Sequence, residues 1–413
     1  MANWYYYKKI GPVTGRELKQ LALQGTICPE FFVEDPHGRT GLAKDVNGLI
    51  FPEMVQSEPM ENTKASVTEN SFTTAEQAEI NEFCEKFGTD VKQVYELGRT
   101  LLCKAVSFWQ WHDIPEEERV AAKDKWKGNL ATVKYLVSKG ADVNAGDSND
   151  LTPLYYAISE EANVEVVKYL VLNGANVNAR IKFGTTPLHK IARNVSIAKI
   201  LVSHGADVNA KDEQGNTPIH NAVWLDKNGE VVKFLASQGA DVNAKNKNGD
   251  TPLHTATKAY KDIENAKILI VLGADVNAKN GLGHTPLHGA ATTNKNIEFV
   301  QFLVSQGADV NVKDKNDCPL LHAVVGMTTN DIKIAEALVS LGADVHAKDK
   351  YGSTPLHRAA TNPNIEFVKF LVSQGADVNV KNNDGNTPLT VARRTHGVGM
   401  DVVCEYLKDL TTT

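Results

Sequence analysis

A near-verbatim internal copy limits what this chain can fold into. Residues 296–312 read NIEFVQFLVSQGADVNV, and residues 364–380 read NIEFVKFLVSQGADVNV, differing only at Gln301 and Lys369. A shorter anchor, G-A-[DN]-V, stands at Gly140, Gly174, Gly205, Gly239, Gly273, Gly307, Gly342 and Gly375, in steps of 31 to 35 residues. A second anchor, T-P-[LI], begins at Thr152, Thr186, Thr217, Thr251, Thr285, Thr354 and Thr387. Where the register calls for one more, the chain reads Asp317-Cys318-Pro319-Leu320-Leu321-His322, keeping Leu321 and His322 but losing the Thr-Pro pair. The long copy is offset by 68 residues, two of these steps, so one unit has been repeated two units along. A fixed period of this length implies small supersecondary units that bury their apolar faces only by stacking.

Each anchor has a physical task. In Thr251-Pro252-Leu253-His254-Thr255-Ala256, Thr suits a helix N-cap and Pro the first helical position, where a missing N–H costs nothing. Leu253 then points inward, and Ala256 permits close packing. Val231, Val232, Phe234 and Leu235 form the apolar stripe of a second helix. Gly239 suits the left-handed residue that ends it, and Asn246-Lys247-Asn248-Gly249 signals a turn.

These residues resemble the ankyrin repeat, with its period of about 33 and its T-P-L-H-x-A signature. The resemblance implies a mainly α fold: a helix–turn–helix plus a β-hairpin finger per unit, stacked into a curved solenoid. The array extends upstream. Gly98-Arg99-Thr100-Leu101-Leu102-Cys103 reads as a substituted T-P-L-H, and Gly88-Thr89-Asp90-Val91 as a substituted G-A-D-V. About nine units are expected over 74–413, with a degenerate half-unit at 74–94 and a last unit that caps the array. The first unit carries an insertion at about 107–128, and the unit after His189 is about three residues short. Both irregularities are expected in loops.

Residues 1–52 do not fit the period. Trp4-Tyr5-Tyr6-Tyr7 and Phe31-Phe32-Val33 read as strands, Gly11-Pro12 as a turn, and Arg16–Gln24 as a short helix. The order Trp-Tyr-Tyr, Gly-Pro-Val, helix, Gly25-x-Ile27-x-Pro29 is similar to a bacterial GYF-like domain, a small α+β fold. That resemblance implies binding of a proline-rich peptide on an aromatic bed, with Trp4, Tyr6, Tyr7 and Phe32 as candidates. Gly41 stands near where that family carries a Trp. Residues 53–73 are polar and aperiodic and read as a flexible linker. Thr73 and Glu76 have the spacing of a capping box opening the first array helix.

The bulk numbers exclude some functions. Net charge is −6, against the basic patch a nucleic-acid binder needs. No apolar run approaches the ~18 residues needed to span a bilayer, and the start lacks an apolar signal region. Five cysteines without a C-x-x-C read as thiols of a reducing, cytoplasmic compartment.

Catalytic patterns such as G-x-S-x-G, H-E-x-x-H or a Walker loop are absent from the sequence, and no cofactor is expected. The column His189, His220, His254, His288, His322 and His357 invites a metal reading. Its members lie one repeat apart, about 8–10 Å, while ligands of one ion sit ~2 Å from it. Hydrogen bonding to neighbouring loops is the expected role, and no metal site is assigned. A lysine column from Lys211 to Lys381 runs beside an aspartate column from Asp207 to Asp377 and reads as a solvated face of mixed sign.

The resemblance places partner contacts on the concave face made by the fingers and first helices. Finger-tip candidates are Phe183, Leu282 and Tyr351. First-helix candidates are Tyr156, Lys190, Arg193 and Trp224, with Lys258, Tyr260 and Arg358 further along. Trp, Tyr and Arg are enriched at binding hot spots. Trp109, Trp111 and Trp126 in the insertion are expected to cover the open end of the stack, with partner binding as the alternative. The leading functional expectation is a non-catalytic, monomeric protein-interaction scaffold. A secreted bacterial effector acting on a host protein, and an enzyme whose pocket is built by the Trp-rich insertion, are the competing readings.

Overall fold

The computed structural model describes residues 3–6, 10–14, 32–34, 40–42, 72–90, 92, 100–106, 129–158, 163–191, 194–226, 228–258, 263–326, 332–395 and 399–411. The chain divides into two compact units: 1–181 with 199–205 and 237–239, and 182–198 with 206–236 and 240–413.

In the first unit the chain begins with four strands, β1 (Asn3–Tyr6), β2 (Ile10–Thr14), β3 (Phe32–Glu34) and β4 (Thr40–Leu42). They pair antiparallel in the order β2-β1-β3-β4. Gly11-Pro12 was expected as a turn but lies inside β2. Its register slips there: Tyr6 faces Ile10 and Trp4 faces Val13, so two residues stand opposite one. An edge strand with a bulge tolerates a Pro that has no N–H to give. The proposed helix at 16–24 and the 53–71 part of the linker fall outside the described residues, as does the insertion with Trp109, Trp111 and Trp126.

Helix Thr74–Phe87 opens on the capping box. Thr73 Oγ1 accepts from Glu76 N at 3.3 Å, and the Glu76 carboxylate accepts from Thr73 N at 2.7 Å. Helices Leu101–Val106, Leu130–Ser138, Pro153–Ala157 and Val164–Leu172 follow. Cys103 occupies the histidine slot of the degenerate T-P-L-H; it is fully buried, and its Sγ donates to Ala145 O at 3.6 Å.

In the second unit, first helices stack in chain order: Pro187–Lys190, Pro218–Leu225, Pro252–Lys258, Pro286–His288 continued by the π-helix Gly289–Asn294, Leu320–Val325, Pro355–Ala359 and Pro388–Arg394. Each leads to a second helix, such as Glu264–Val271, Ile297–Ser305 or Ile365–Ser373. The inward leucines Leu253, Leu287 and Leu356 are fully buried, as are Phe299 and Phe367 of the second helices. Asn296 and Asn364 cap their second helices by accepting backbone N–H bonds. The ends are Schellman turns: Ala274 N donates to Leu269 O and Gly273 N to Ile270 O, with Gly273 at φ 93°.

Two sequence expectations need correction. The deletion after His189 was placed in a loop, yet the first helix there spans only Pro187–Lys190, against Pro252–Lys258 two units on. A free helix end can shorten without exposing the inward Leu188, which stays buried. The fingers were expected as β-hairpins. Among the described residues they are turns, with one isolated bridge between Lys313 and Pro319. A typical tip closes with Gly249 N to Asn246 O at 2.9 Å, while Asn246 Oδ1 accepts from Asn248 N and Asp250 N. The side chain takes the place of ladder partners.

Candidate functional site

Three ladders hold successive fingers of the second unit in fixed relation. The tips are joined by backbone bonds: Glu213 N to Phe183 O, Lys247 N to Gln214 O, Gly281 N to Asn248 O, Lys315 N to Leu282 O, and Asn383 N to Tyr351 O. Glycine at the tip permits this approach. A Cβ on Gly283 would lie 2.4 Å from Lys315 N. The asparagine of each V-N element makes the second ladder. Asn277 Nδ2 donates to Gly307 O at 2.9 Å and its Oδ1 accepts from Asp309 N at 2.9 Å; Asn243 does the same to Gly273 and Asp275. The lysine column is the third. Lys211, Lys245, Lys279 and Lys313 each place Nζ on the backbone carbonyl of the next lysine in the column, at 2.9 to 3.2 Å. These lysines were expected merely to be solvated; they cap carbonyls of the following unit.

The histidine column ties the first helices to the fingers. In His254, Nδ1 accepts from Thr251 N at 3.2 Å and from the Thr251 hydroxyl at 2.9 Å. That fixes the proton on Nε2, which donates to His284 O at 2.9 Å. His189, His220 and His357 repeat the pattern onto Asn216 O, Asp250 O and Asn386 O. Both nitrogens are thus engaged within protein. Burial pushes the imidazoles of His220, His254, His322 and His357 below their ordinary range, and that of His288 down to about 3. The column is a brace between first helices and fingers.

The brace is broken at Pro319. Proline has no N–H and no hydroxyl, so His322 Nδ1 is buried with no hydrogen-bond partner, although Nε2 still donates to Ser353 O. In the preceding unit His288 Nε2 is likewise buried without a partner.

Large apolar side chains are left in solvent on the tips and on the first helix Pro218–Leu225, and the aliphatic Val271, Leu272 and Val402 on or just past second helices are exposed as well. Phe183 is 66 % exposed, Leu282 49 %, Tyr351 56 % and Trp224 49 %. Phe183 holds φ at 75°, a conformation that bulky residues rarely adopt, just before Gly184, which holds the usual tip glycine position at φ 72°. Lys190 and Arg358 are exposed. Lys258 is also exposed, with its Nζ 2.7 Å from Asp250 Oδ2. Burial works to raise the Asp250 carboxyl, but the bonds from Lys258 and Asn280 outweigh it and hold it below the ordinary range.

Tyr156 does not join this set. It is buried, and its hydroxyl donates to the Asp147 carboxylate. Its offset does not set this, since Lys190 and Arg358 also stand four residues after their threonines and are exposed; the bond to Asp147 holds Tyr156 against its own finger. Arg193, Tyr260 and Tyr7 fall outside the described residues, and of Trp4, Tyr6 and Phe32 only the strand backbone is described. Leu225, 36 % exposed beside Trp224, was missed in the sequence; its place at the end of Pro218–Leu225, past the last inward residue, was the available signal.

The stacked helix pairs, glycine-ended and tied finger to finger, define a helical repeat protein. A model of ankyrin repeats in three copies matches residues 163–246, 227–314, 253–349 and 320–411, and a second ankyrin-repeat model matches 119–171. The chain belongs to the ankyrin-repeat proteins, and the array is a protein–protein interaction module. No curated protein matches it. The family matches begin at residue 119, so none supports the GYF-like resemblance at the start of the chain. Among the described residues no helix is long and apolar enough to cross a membrane.

Proposed function

We propose that this chain is a non-catalytic scaffold that docks a folded protein on the face made by its finger tips and first helices. The observation that carries this reading is the exposure of Phe183, Leu282, Tyr351 and Trp224 on elements otherwise rigidly braced. Large apolar groups kept in water on a rigid surface favour contact, because binding then orders little that was mobile. In the same reading the chain is cytoplasmic and monomeric. Residues 1–52 form a separate module for proline-containing peptides, joined to the array at 74–413 by the 53–73 linker. Limited proteolysis tests that division: first cuts inside the array, with 53–73 spared, would contradict it.

The docking face is tested with a partner isolated on the full chain. Trp224→Ala should weaken its binding by roughly 2 kcal/mol or more, the hot-spot scale. Trp224 is half exposed, so the fold should lose less than the ~3–5 kcal/mol typical of a buried Trp. Unchanged affinity together with a large stability loss would show Trp224 to be a packing residue.

A further inference from the structure

The two helix layers of the second unit differ in charge. The described first helices, from Pro187–Lys190 to Pro388–Arg394, contain no Asp or Glu. They carry Lys190, Lys258, Arg358, Arg393 and Arg394, all exposed. Burial lowers the range of histidines such as His254 and His357, so these add no charge at neutral pH. The second helices are different. Three of them carry an acid and a base one turn apart that close on each other: Lys233 with Glu230 at 3.2 Å, Lys267 with Glu264 at 3.6 Å, and Lys369 with Glu366 at 3.0 Å.

The tips are mixed but lean the same way. Lys182, Lys247, Lys315 and Lys350 are exposed at tip positions, against the exposed acids Glu213, Asp317 and Asp384. Lys350 Nζ sits 5.0 Å from the centre of the Tyr351 ring, which places a cation beside an exposed aromatic. The chain as a whole has a net charge of −6, so this face is basic against the sign of the molecule. Asp250 already answers Lys258, which leaves the bias resting chiefly on the arginines and the tip lysines.

From this asymmetry, and resting on the docking face assigned above, we infer that the occupant is an acidic protein segment that carries large apolar residues. Carboxylates meet Arg358, Arg393 and the tip lysines, while apolar side chains meet Phe183, Leu282 and Tyr351. Charge of this kind steers encounter and sets specificity, and it weakens with added salt.

The test is selection of a displayed random-peptide library on the full chain, with hydrogen exchange of the bound complexes. The expected result is enrichment of Asp and Glu interspersed with aromatic or large aliphatic residues, and protection at the tips and first helices. Arg358→Glu with Arg393→Glu should weaken the selected peptides about tenfold or more. Lys233→Glu with Lys369→Glu changes the net charge equally on the other layer and should leave them within about twofold. Peptides that protect the same face without acidic enrichment, or that ignore the arginine pair, overturn the acidic occupant while leaving the docking face standing. Protection on the second helices overturns the docking face itself. Binding of phosphatidylserine vesicles in place of acidic peptides, lost in the arginine pair, overturns the inference in favour of a lipid surface.

Discussion

Restoring the missing cap at 319 should stabilise the array. Pro319 sits at φ −63°, ψ 148°, in the same extended region as Thr285 at −97°, 168° and Thr354 at −91°, 169°. Threonine therefore fits without moving the backbone. In Pro319→Thr, His322 Nδ1 gains an N–H and a hydroxyl, the two donors that Thr354 supplies to His357 at 3.1 and 2.9 Å. A buried acceptor left unsatisfied costs about 1–3 kcal/mol. Loss of proline frees the unfolded chain and returns about 0.4–1 kcal/mol of that. The net gain should be about 1 kcal/mol or somewhat more, a rise of roughly 2–4 °C in Tm for the transition that includes this unit. Thermal and urea melts of the two proteins measure it. The same change in a His322→Leu background separates the cap from any general effect, and there the gain should disappear. No stabilisation, or equal stabilisation without the histidine, would refute the reasoning.

The buried histidines make the array acid-sensitive. An unfolded histidine takes its proton near 6.5, while folded His288 resists protonation down to about 3. Below 6.5 the unfolded state therefore binds more protons, and stability falls with pH; His288 alone contributes about 2 kcal/mol of loss by pH 5. Melts that are equally stable at pH 7.5 and pH 5 would contradict this. Asn277→Ala removes both bonds to the next finger and should cost about 1 kcal/mol, with Asn277→Asp, which keeps only the acceptor, falling between. A chelator should leave Tm unchanged, because both nitrogens of histidines such as His254 are engaged by protein groups.

Much of the fold was legible because its constraints are local and repeated. Thr-Pro before Leu253, and Gly273 after a stripe of apolar residues, each state a helix boundary by themselves. The capping box at Thr73 and Glu76 was readable for the same reason. What was not legible depends on the neighbouring unit. That Lys245 caps the carbonyl of Lys279, and that Asn277 reaches Gly307, follows from stacking distance and not from any single period. Tyr156 shows the limit most clearly. Its residue type suggested contact, but its hydroxyl donates to Asp147, and a partner carboxylate cannot be inferred from residue type. Lys190 and Arg358, at the same offset from their threonines, are left in solvent. The broken brace at Pro319 was visible as a lost Thr-Pro pair, though its consequence for His322 required knowing which atoms that pair serves.

Contact by the tips and first helices of the array has a direct readout. Hydrogen exchange of the full chain, with and without a partner isolated on it, measures this directly. Exchange should slow at the tips around Phe183, Leu282 and Tyr351 and at the end of the Pro218–Leu225 helix, with Glu264–Val271 and Ile365–Ser373 unchanged. Slowed exchange confined to those second helices, with the tips unaffected, would contradict it.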